Sequence, residues 1–440
     1  MNALLINPYI FDFTAYDFWV KPLGLLKLAR VLKRNNISVR FLDCLDRFTS
    51  KKNYSTGKYY KTELPKTGIL KKIPRKYSAY GIPFESFNAK LNSQAVPDAV
   101  FIAGGLTYRY PGVFYVINEV RKRFGGVPVI IGGIYPTLCG SHAKECSGAD
   151  IVVEGKAGKS IGSILKEIYS IEPDIRGEDL LYPDYSLYPD LESASLSTIS
   201  GCPFSCDYCA SAYLAGEVSR LDPDTTASYI IDLIKEKGVK DIAFYDDALF
   251  FRANEHVNII LEKIIKSGVR AFFHASNAVH ARYIDKTAAE LMKKAGFKTV
   301  RIGLESADDA FNLSTGGKVN RDDFVRAAAN LRKAGFSGDE TGAYILCGLP
   351  GMNIAEIKKT VDFSRENGIR PYIAEFSPVP HTKMYDEITG KLGISLEEPL
   401  HHGREVFLRL LGETNREEIE ALKRYAKSAG TNSSLCATVC

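Results

Sequence analysis

The chain of 440 residues has no apolar run near the ~18–20 residues needed to cross a bilayer, so no membrane span is expected. Met1-Asn2-Ala3 opens no signal peptide, which gives the expectation of a cytoplasmic protein. Charge of one sign is also scarce: 57 basic and 52 acidic residues leave +5, too little to mark a nucleic-acid binder. With 45% hydrophobic and 25% charged residues, the composition excludes wholesale disorder. A phosphate loop is missing too. Gly155-Lys156-Ala157-Gly158-Lys159-Ser160 imitates one, but the glycine required five residues before Gly158 is Val153.

What is present suggests two or three folded units. Nine cysteines without a signal peptide point to a reducing compartment, where metal or redox chemistry comes before disulfides. The excess basic charge is local, at Arg47, Lys51, Lys52, Lys58, Lys61, Lys66, Lys71, Lys72, Arg75, Lys76 and Lys90. Tyr54, Tyr59, Tyr60, Tyr77 and Tyr80 are interleaved with them. Such a segment could stack and pair with nucleic acid, but charge runs are usually solvated faces. An insertion over residues 47–95, packed on an edge of the first domain, is the preferred reading, and a nucleic-acid partner is not expected.

Residues 1–160 read as an open Rossmann-like α/β domain. Short apolar strands are expected at Ala3–Ile6, Val39–Leu42, Ala99–Ala103, Val127–Ile131 and Ile151–Val153. Leu25, Leu28, Ala29 and Leu32 mark a helix between the first two. Gly104-Gly105 and Gly132-Gly133 end two strands, where a parallel sheet lets a ligand approach backbone. They are equally compatible with simple turns. Over residues 190–382, helical stripes end at Gly238, Gly268, Gly296, Gly335 and Gly368. Each is followed by a strand-like run: Ile242–Tyr245, Ala271–His274, Thr299–Gly303, Gly342–Leu346 and Tyr372–Phe376. With one more strand before Cys202, right-handed crossovers give a partial (β/α)6 TIM-type barrel. Residues 383–440 read as a mainly helical segment ending in Cys436 and Cys440.

Cys202, Cys206 and Cys209 follow the first barrel strand, with three and then two residues between them. Three thiolates can hold three irons of a four-iron cluster and leave the fourth open. A structural zinc site would want four protein ligands, for which His142, between Cys139 and Cys146, is a distant candidate. Buried unreactive thiols are the remaining alternative. The pattern favours the cluster.

On this motif, from about Ser195 to Thr382, the sequence resembles the radical S-adenosylmethionine (SAM) superfamily. The resemblance implies that Cys202, Cys206 and Cys209 bind a [4Fe–4S] cluster whose open iron takes the amino and carboxylate groups of SAM. Electron transfer, from a donor such as flavodoxin or ferredoxin, then yields a 5′-deoxyadenosyl radical that abstracts hydrogen from carbon. It further implies Asp246 and Asp247 as acceptors for the SAM ammonium, with the choice between them open. Glu305 and Ser306 would lie near ribose and carboxylate, and Asn277 beside the ribose. Gly348 would contact adenine through its backbone, and Tyr208 would lie against it, while Cys347 reads as a buried small hydrophobe.

A Rossmann-like domain ahead of such a barrel resembles the cobalamin-binding branch of the superfamily. That implies a corrinoid between the domains, with Gly104, Thr107, Gly132, Gly133, Thr137, Glu154 and Gly155 toward its nucleotide tail. One departure stands out. The Asp-x-His-x-x-Gly loop that replaces the lower base is absent; Asp43-Cys44-Leu45-Asp46 stands there, and only Cys44 could supply a cobalt ligand. The cysteine-rich C-terminal extension of peptide-modifying members is also missing. The expectation is a cobalamin-dependent methyltransferase acting on an unactivated carbon of a small molecule or peptide. The alternative is a radical SAM enzyme of rearrangement, cyclisation or bond formation with a cobalamin-free first domain. A non-enzymatic RNA-binding or cluster-carrying module is a third reading. No acid–base residue is visible in the sequence.

Overall fold

The computed structural model describes residues 1–46, 59–412 and 416–428. Arg47, Lys51, Lys52, Tyr54 and Lys58 of the insertion, and Cys436 and Cys440, lie outside them. Among the described residues, no helix is long and apolar enough to cross a membrane. The chain divides into two units: Met1–Leu196 with Val379–His381 and Thr389–Arg409, and Ser197–Pro378 with Thr382–Ile388 and the chain from Leu410.

In the first unit, β1 (Asn2–Asn7), β2 (Ser38–Asp43), β3 (Ala99–Gly104), β4 (Val129–Gly133) and β5 (Ile151–Val153) form a sheet ordered β2-β1-β3-β4-β5. All pairings are parallel. Strands covered on both faces read as continuous apolar runs, which is why they were legible. Ala3, Leu5, Ala99, Phe101 and Ile130 pack with Leu25, Leu28, Ala29 and Leu32 of helix Leu23–Arg34 and with Ile161, Ile164 and Leu165 of helix Ile161–Tyr169. Leu4, Ile6, Val100 and Ile102 alternate to the other face and are as deeply buried. The fourth strand begins two residues later than expected. Pro128 has no N–H for the ladder, although its carbonyl still accepts from Val100 N at 2.9 Å.

The second sheet contains β6 (Ser193–Leu196), β7 (Asp241–Phe244), β8 (Phe272–His280), β9 (Phe297–Glu305), β10 (Thr341–Cys347) and β11 (Arg370–Glu375). Their order is β11-β10-β9-β8-β7-β6, and β7 through β11 pair in parallel. A sequential order with two edges is a partial barrel. Asp222, Asp285, Asn320 and Asn353 start its helices by accepting a backbone N–H in the first turn. Strand β8 runs six residues past its expected end, because a bulge between Ala275 and Val279 breaks the two-residue alternation. Phe244, Phe273 and Phe297 stack across β7, β8 and β9 with ring centroids 5.7–6.1 Å apart.

The described part of the insertion is not a solvated face throughout. Lys61–Glu63 and Ser78–Tyr80 join Ile10–Asp12 in a three-stranded sheet. Leu70, Tyr77, Tyr80 and Phe87 are buried, so two of the interleaved tyrosines are core rather than stacking platforms. Helices at Lys383–Leu392, Arg404–Leu411 and Arg416–Ser428 make the last segment helical as expected, and its residues are shared between the two units. In the second, Arg416 and Lys423 reach Glu375 at the end of β11, at 2.8 and 3.0 Å.

Phe273 is fully buried at the centre of the stacked rings. Phe273→Ala is expected to cost about 3–5 kcal/mol of unfolding free energy in urea titration; a loss below ~1 kcal/mol would contradict tight packing there.

Candidate active site

The cysteine loop leaves the sheet just after β6, where a parallel barrel places chemistry beyond strand ends. It has little regular structure of its own, so other elements hold it. Asp247, just past β7, grips it on both sides: Oδ2 accepts from Gly201 N at 2.7 Å and Oδ1 from Ser211 Oγ at 3.1 Å. Cys209 Sγ lies 3.3 Å from that same Ser211 hydroxyl. Inside the motif, Asp207 N donates to Thr315 O at 3.1 Å, and Asp207 Oδ2 pairs with Lys383 at 2.8 Å. Gly316 is obligatory behind Cys206: at φ +127° an added Cβ would lie 2.7 Å from Cys206 Cα. Burial pushes the Cys202 thiol up to about 11 and raises that of Cys206 as well. These thiols stay protonated until a metal displaces the proton.

The two aspartates, which the sequence could not tell apart, have separate tasks. Asp246 is buried, and its Oδ1 takes Thr198 N at 2.8 Å, Thr198 Oγ1 at 2.7 Å and Ile199 N. Its other oxygen is buried without a partner, and burial pushes the carboxyl up to about 7. Asp247 is the more accessible of the two. Asn277 sits exposed on the β8 bulge, its Nδ2 3.5 Å from Asp246 O. Glu305 ends β9 with φ +61°, an uncommon backbone for a non-glycine residue, and is buried. Ser306 Oγ accepts from Asp308 N at 3.1 Å, so its hydroxyl serves the start of the next helix. Gly348 follows β10 with φ +86°. Cys347 is fully buried, with its thiol pushed up to about 12 by burial, as a small hydrophobe should be.

Two residues were not singled out from sequence. Lys318 pairs with Glu305 at 2.5 Å, and its ammonium lies 5.8 Å from the centre of the Tyr208 ring. Burial works to lower the Lys318 pKa, but the Glu305 carboxylate and the Cys206 thiol hold it above its ordinary value. The glycine pair in Gly316-Gly317-Lys318 was its signal. His280 ends β8, with Nε2 3.7 Å from Cys202 Sγ. Burial, with Lys318 and Arg282 nearby, lowers its pKa to about 3, so the ring is neutral.

In the first unit, Gly104 lies in register with Gly133, and an added Cβ on Gly133 (φ +115°) would meet Gly104 O at 2.4 Å. Thr137 Oγ1 donates to Gly133 O at 2.7 Å and accepts from Gly155 N at 2.9 Å. Gly104, Gly132, Gly133, Thr137 and Gly155 thus gather at the carboxyl ends of β3, β4 and β5. Glu154 pairs with Lys144 at 2.6 Å, and the buried Thr107 hydroxyl is engaged by His402 Nδ1 at 2.9 Å. Cys44 is fully buried, and burial drives its thiol well above the ordinary value, so it offers no cobalt ligand. His142 is bonded through Nδ1 to Tyr135 OH at 2.7 Å and stacked on Phe114. Among the described residues, no group of three or more His, Cys, Asp and Glu is gathered for a single metal ion.

Residues 196–364 match the radical SAM superfamily. An uncharacterized methyltransferase of Pyrococcus horikoshii is 25% identical over 334 residues, 68% of this chain and 71% of that one. A bacteriochlorophyllide d C-8(2)-methyltransferase of Chlorobaculum tepidum is 23% identical over 71% of this chain and 73% of its own. Among solved structures, the radical SAM methyltransferase TsrM from Kitasatospora setae, with cobalamin and a [4Fe–4S] cluster bound, superposes with a TM-score of 0.65 at 15% identity. It covers 89% of this chain and 75% of that one, a likeness of fold.

Glu305→Gln leaves Lys318 buried without its counter-charge and is expected to cost about 3–5 kcal/mol of stability. Adding Lys318→Met should recover most of it in urea titrations of the metal-free protein. A single-variant loss below ~1 kcal/mol would show that the pair is not a buried ion pair.

Proposed function

Given that the chain carries a radical SAM domain over residues 196–364, we propose that it is a cobalamin-dependent methyltransferase acting on an unactivated carbon. The observation that carries this reading is the presence in one chain of two sites. One is the three-thiol loop after the first barrel strand; the other is the glycine-lined end of a parallel five-stranded sheet. The methyltransferase relatives support it. When bound, a [4Fe–4S] cluster, SAM and cobalamin supply the one-electron centre, the 5′-deoxyadenosyl radical and the methyl group.

The chain's own residues hold and orient these groups. Cys202, Cys206 and Cys209 take three irons. Asp247, rather than the more deeply buried Asp246, accepts the SAM ammonium while fixing both ends of the loop. Tyr208, Asn277 and the Gly348 backbone flank the adenosine, and Glu305 with Lys318 places a neutralised charge pair beside Cys206. Gly104, Gly132, Gly133, Thr137 and Gly155 offer close backbone to the corrinoid tail. A flavodoxin or ferredoxin supplies the electron.

A second reading, radical chemistry without methyl transfer, is favoured by one observation: Cys44 is buried where a lower cobalt ligand would stand.

Anaerobic purification from cells supplied with hydroxocobalamin should give about four irons and one cobalt per chain. With deuterated-methyl SAM, the product should gain a labelled methyl. Iron without cobalt, and a product lacking two hydrogens, would replace this reading with the second one. Asp247→Ala is expected to lower iron loading several-fold with the far-ultraviolet circular dichroism unchanged, since hydrogen bonds to a charged acceptor are worth about 1.5–3 kcal/mol each. Wild-type loading in that variant would remove Asp247 as the loop's anchor.

A further inference from the structure

His280 is 5% exposed, and its two ring nitrogens meet different surroundings. Nε2 lies 3.7 Å from Cys202 Sγ, while Nδ1 is buried with no hydrogen-bond partner. The ring is walled by Phe204, edge-on at 5.2 Å, and by Tyr283 at 5.9 Å. The guanidinium of Arg282 lies over the Phe204 ring, 5.3 Å from its centre. A neutral imidazole carries one N–H. Placing it on Nδ1 would orphan a buried donor, whereas placing it on Nε2 aims it at sulfur and leaves only a bare acceptor in the apolar wall. Buried orphan donors are the rarer and costlier case. The bulge between Ala275 and Val279 extends β8 far enough to deliver the ring to this position. The three thiols therefore differ: Cys209 has the Ser211 hydroxyl, Cys206 has Gly316 and the Lys318 charge nearby, and Cys202 has the histidine.

We propose that His280 is a positioning residue that donates a hydrogen bond from Nε2 to the sulfur of Cys202 and thereby raises the reduction potential of the iron–sulfur cluster held there. The inference rests on the reading that Cys202 is a cluster ligand. A donor at a ligating sulfur draws off negative charge and so favours the reduced, more negative cluster; hydrogen bonds to sulfur are among the factors that set such potentials.

The test is an electron paramagnetic resonance-monitored redox titration of reconstituted wild type, His280→Phe and His280→Gln, without SAM. His280→Phe should move the midpoint to lower potential, and His280→Gln, which keeps an N–H, should lie closer to wild type. An unchanged midpoint in His280→Phe overturns the proposal. Should His280→Phe fail to fold or to hold iron, wild type labelled with 15N-histidine decides. Pulsed spectra of its reduced cluster should show a weak 15N coupling, and absence of that coupling overturns the proposal. Iron analysis separates the two levels: a wild type that takes up no four-iron cluster overturns the cluster reading, and this inference falls with it.

Discussion

A cysteine loop with little regular structure of its own depends for its shape on acceptors supplied from elsewhere. Two consecutive carboxylates after β7 supply them. Asp246 gathers Thr198 and Ile199 at the root of the loop, while Asp247 takes Gly201 N and Ser211 Oγ on either side of the cysteines. One dipeptide in the irregular segment after β7 thus serves two parts of the site. Charge-assisted hydrogen bonds are roughly twice as strong as neutral ones, which suits a segment with few apolar contacts of its own. The remaining ties, Asp207 to Thr315 and Lys383 and the close approach of Gly316 to Cys206, fix the middle of the loop once its ends are set.

The electrostatics of this region follow from burial. Desolvation raises the Cys202 and Cys206 thiols, so a metal bound there would have to displace their protons. Lys318 brings a positive charge toward the same thiols, and Glu305 makes that charge tolerable in a buried place. Without the glutamate, the lysine would be an isolated buried cation; without the lysine, the carboxylate would add to the negative charge of thiolates. The pair is coherent only as a unit.

Much of this was legible in the sequence, and the limits have physical causes. Parallel strands buried on both faces read as apolar runs, and helices capped by Asp222, Asp285, Asn320 and Asn353 announce their starts. The three-cysteine spacing is local, so it needs no tertiary knowledge. His280 was hidden because the β8 bulge destroyed the alternation that would have carried the strand beyond His274. Lys318 was hidden because its meaning lies in a partner 13 residues earlier, across the helix Asp309–Ser314, and no periodicity encodes that. Tyr77 and Tyr80 are interleaved with the basic residues, yet both are buried, Tyr80 on the short strand Ser78–Tyr80 and Tyr77 just before it. Asp246 and Asp247 were both visible as carboxylates, but their division of labour is set by tertiary partners, Thr198 and Ile199 for one and Gly201 and Ser211 for the other.

Asp43 is occupied by Asn7, Leu45 N and Tyr188, and Cys44 is sealed beneath the sheet edge, so that loop turns inward. At the ends of β3 and β4, Gly133 instead packs against the Gly104 carbonyl and Gly104 against the Pro136 ring, at distances that exclude an added side chain. A corrinoid seated there, in the function proposed, would be held by apolar contact and main-chain groups rather than by coordination. Its binding would then release no ligand proton, unlike a histidine-ligated site, where the imidazole must first be neutral. The missing histidine would change how the group is held without removing the place to hold it.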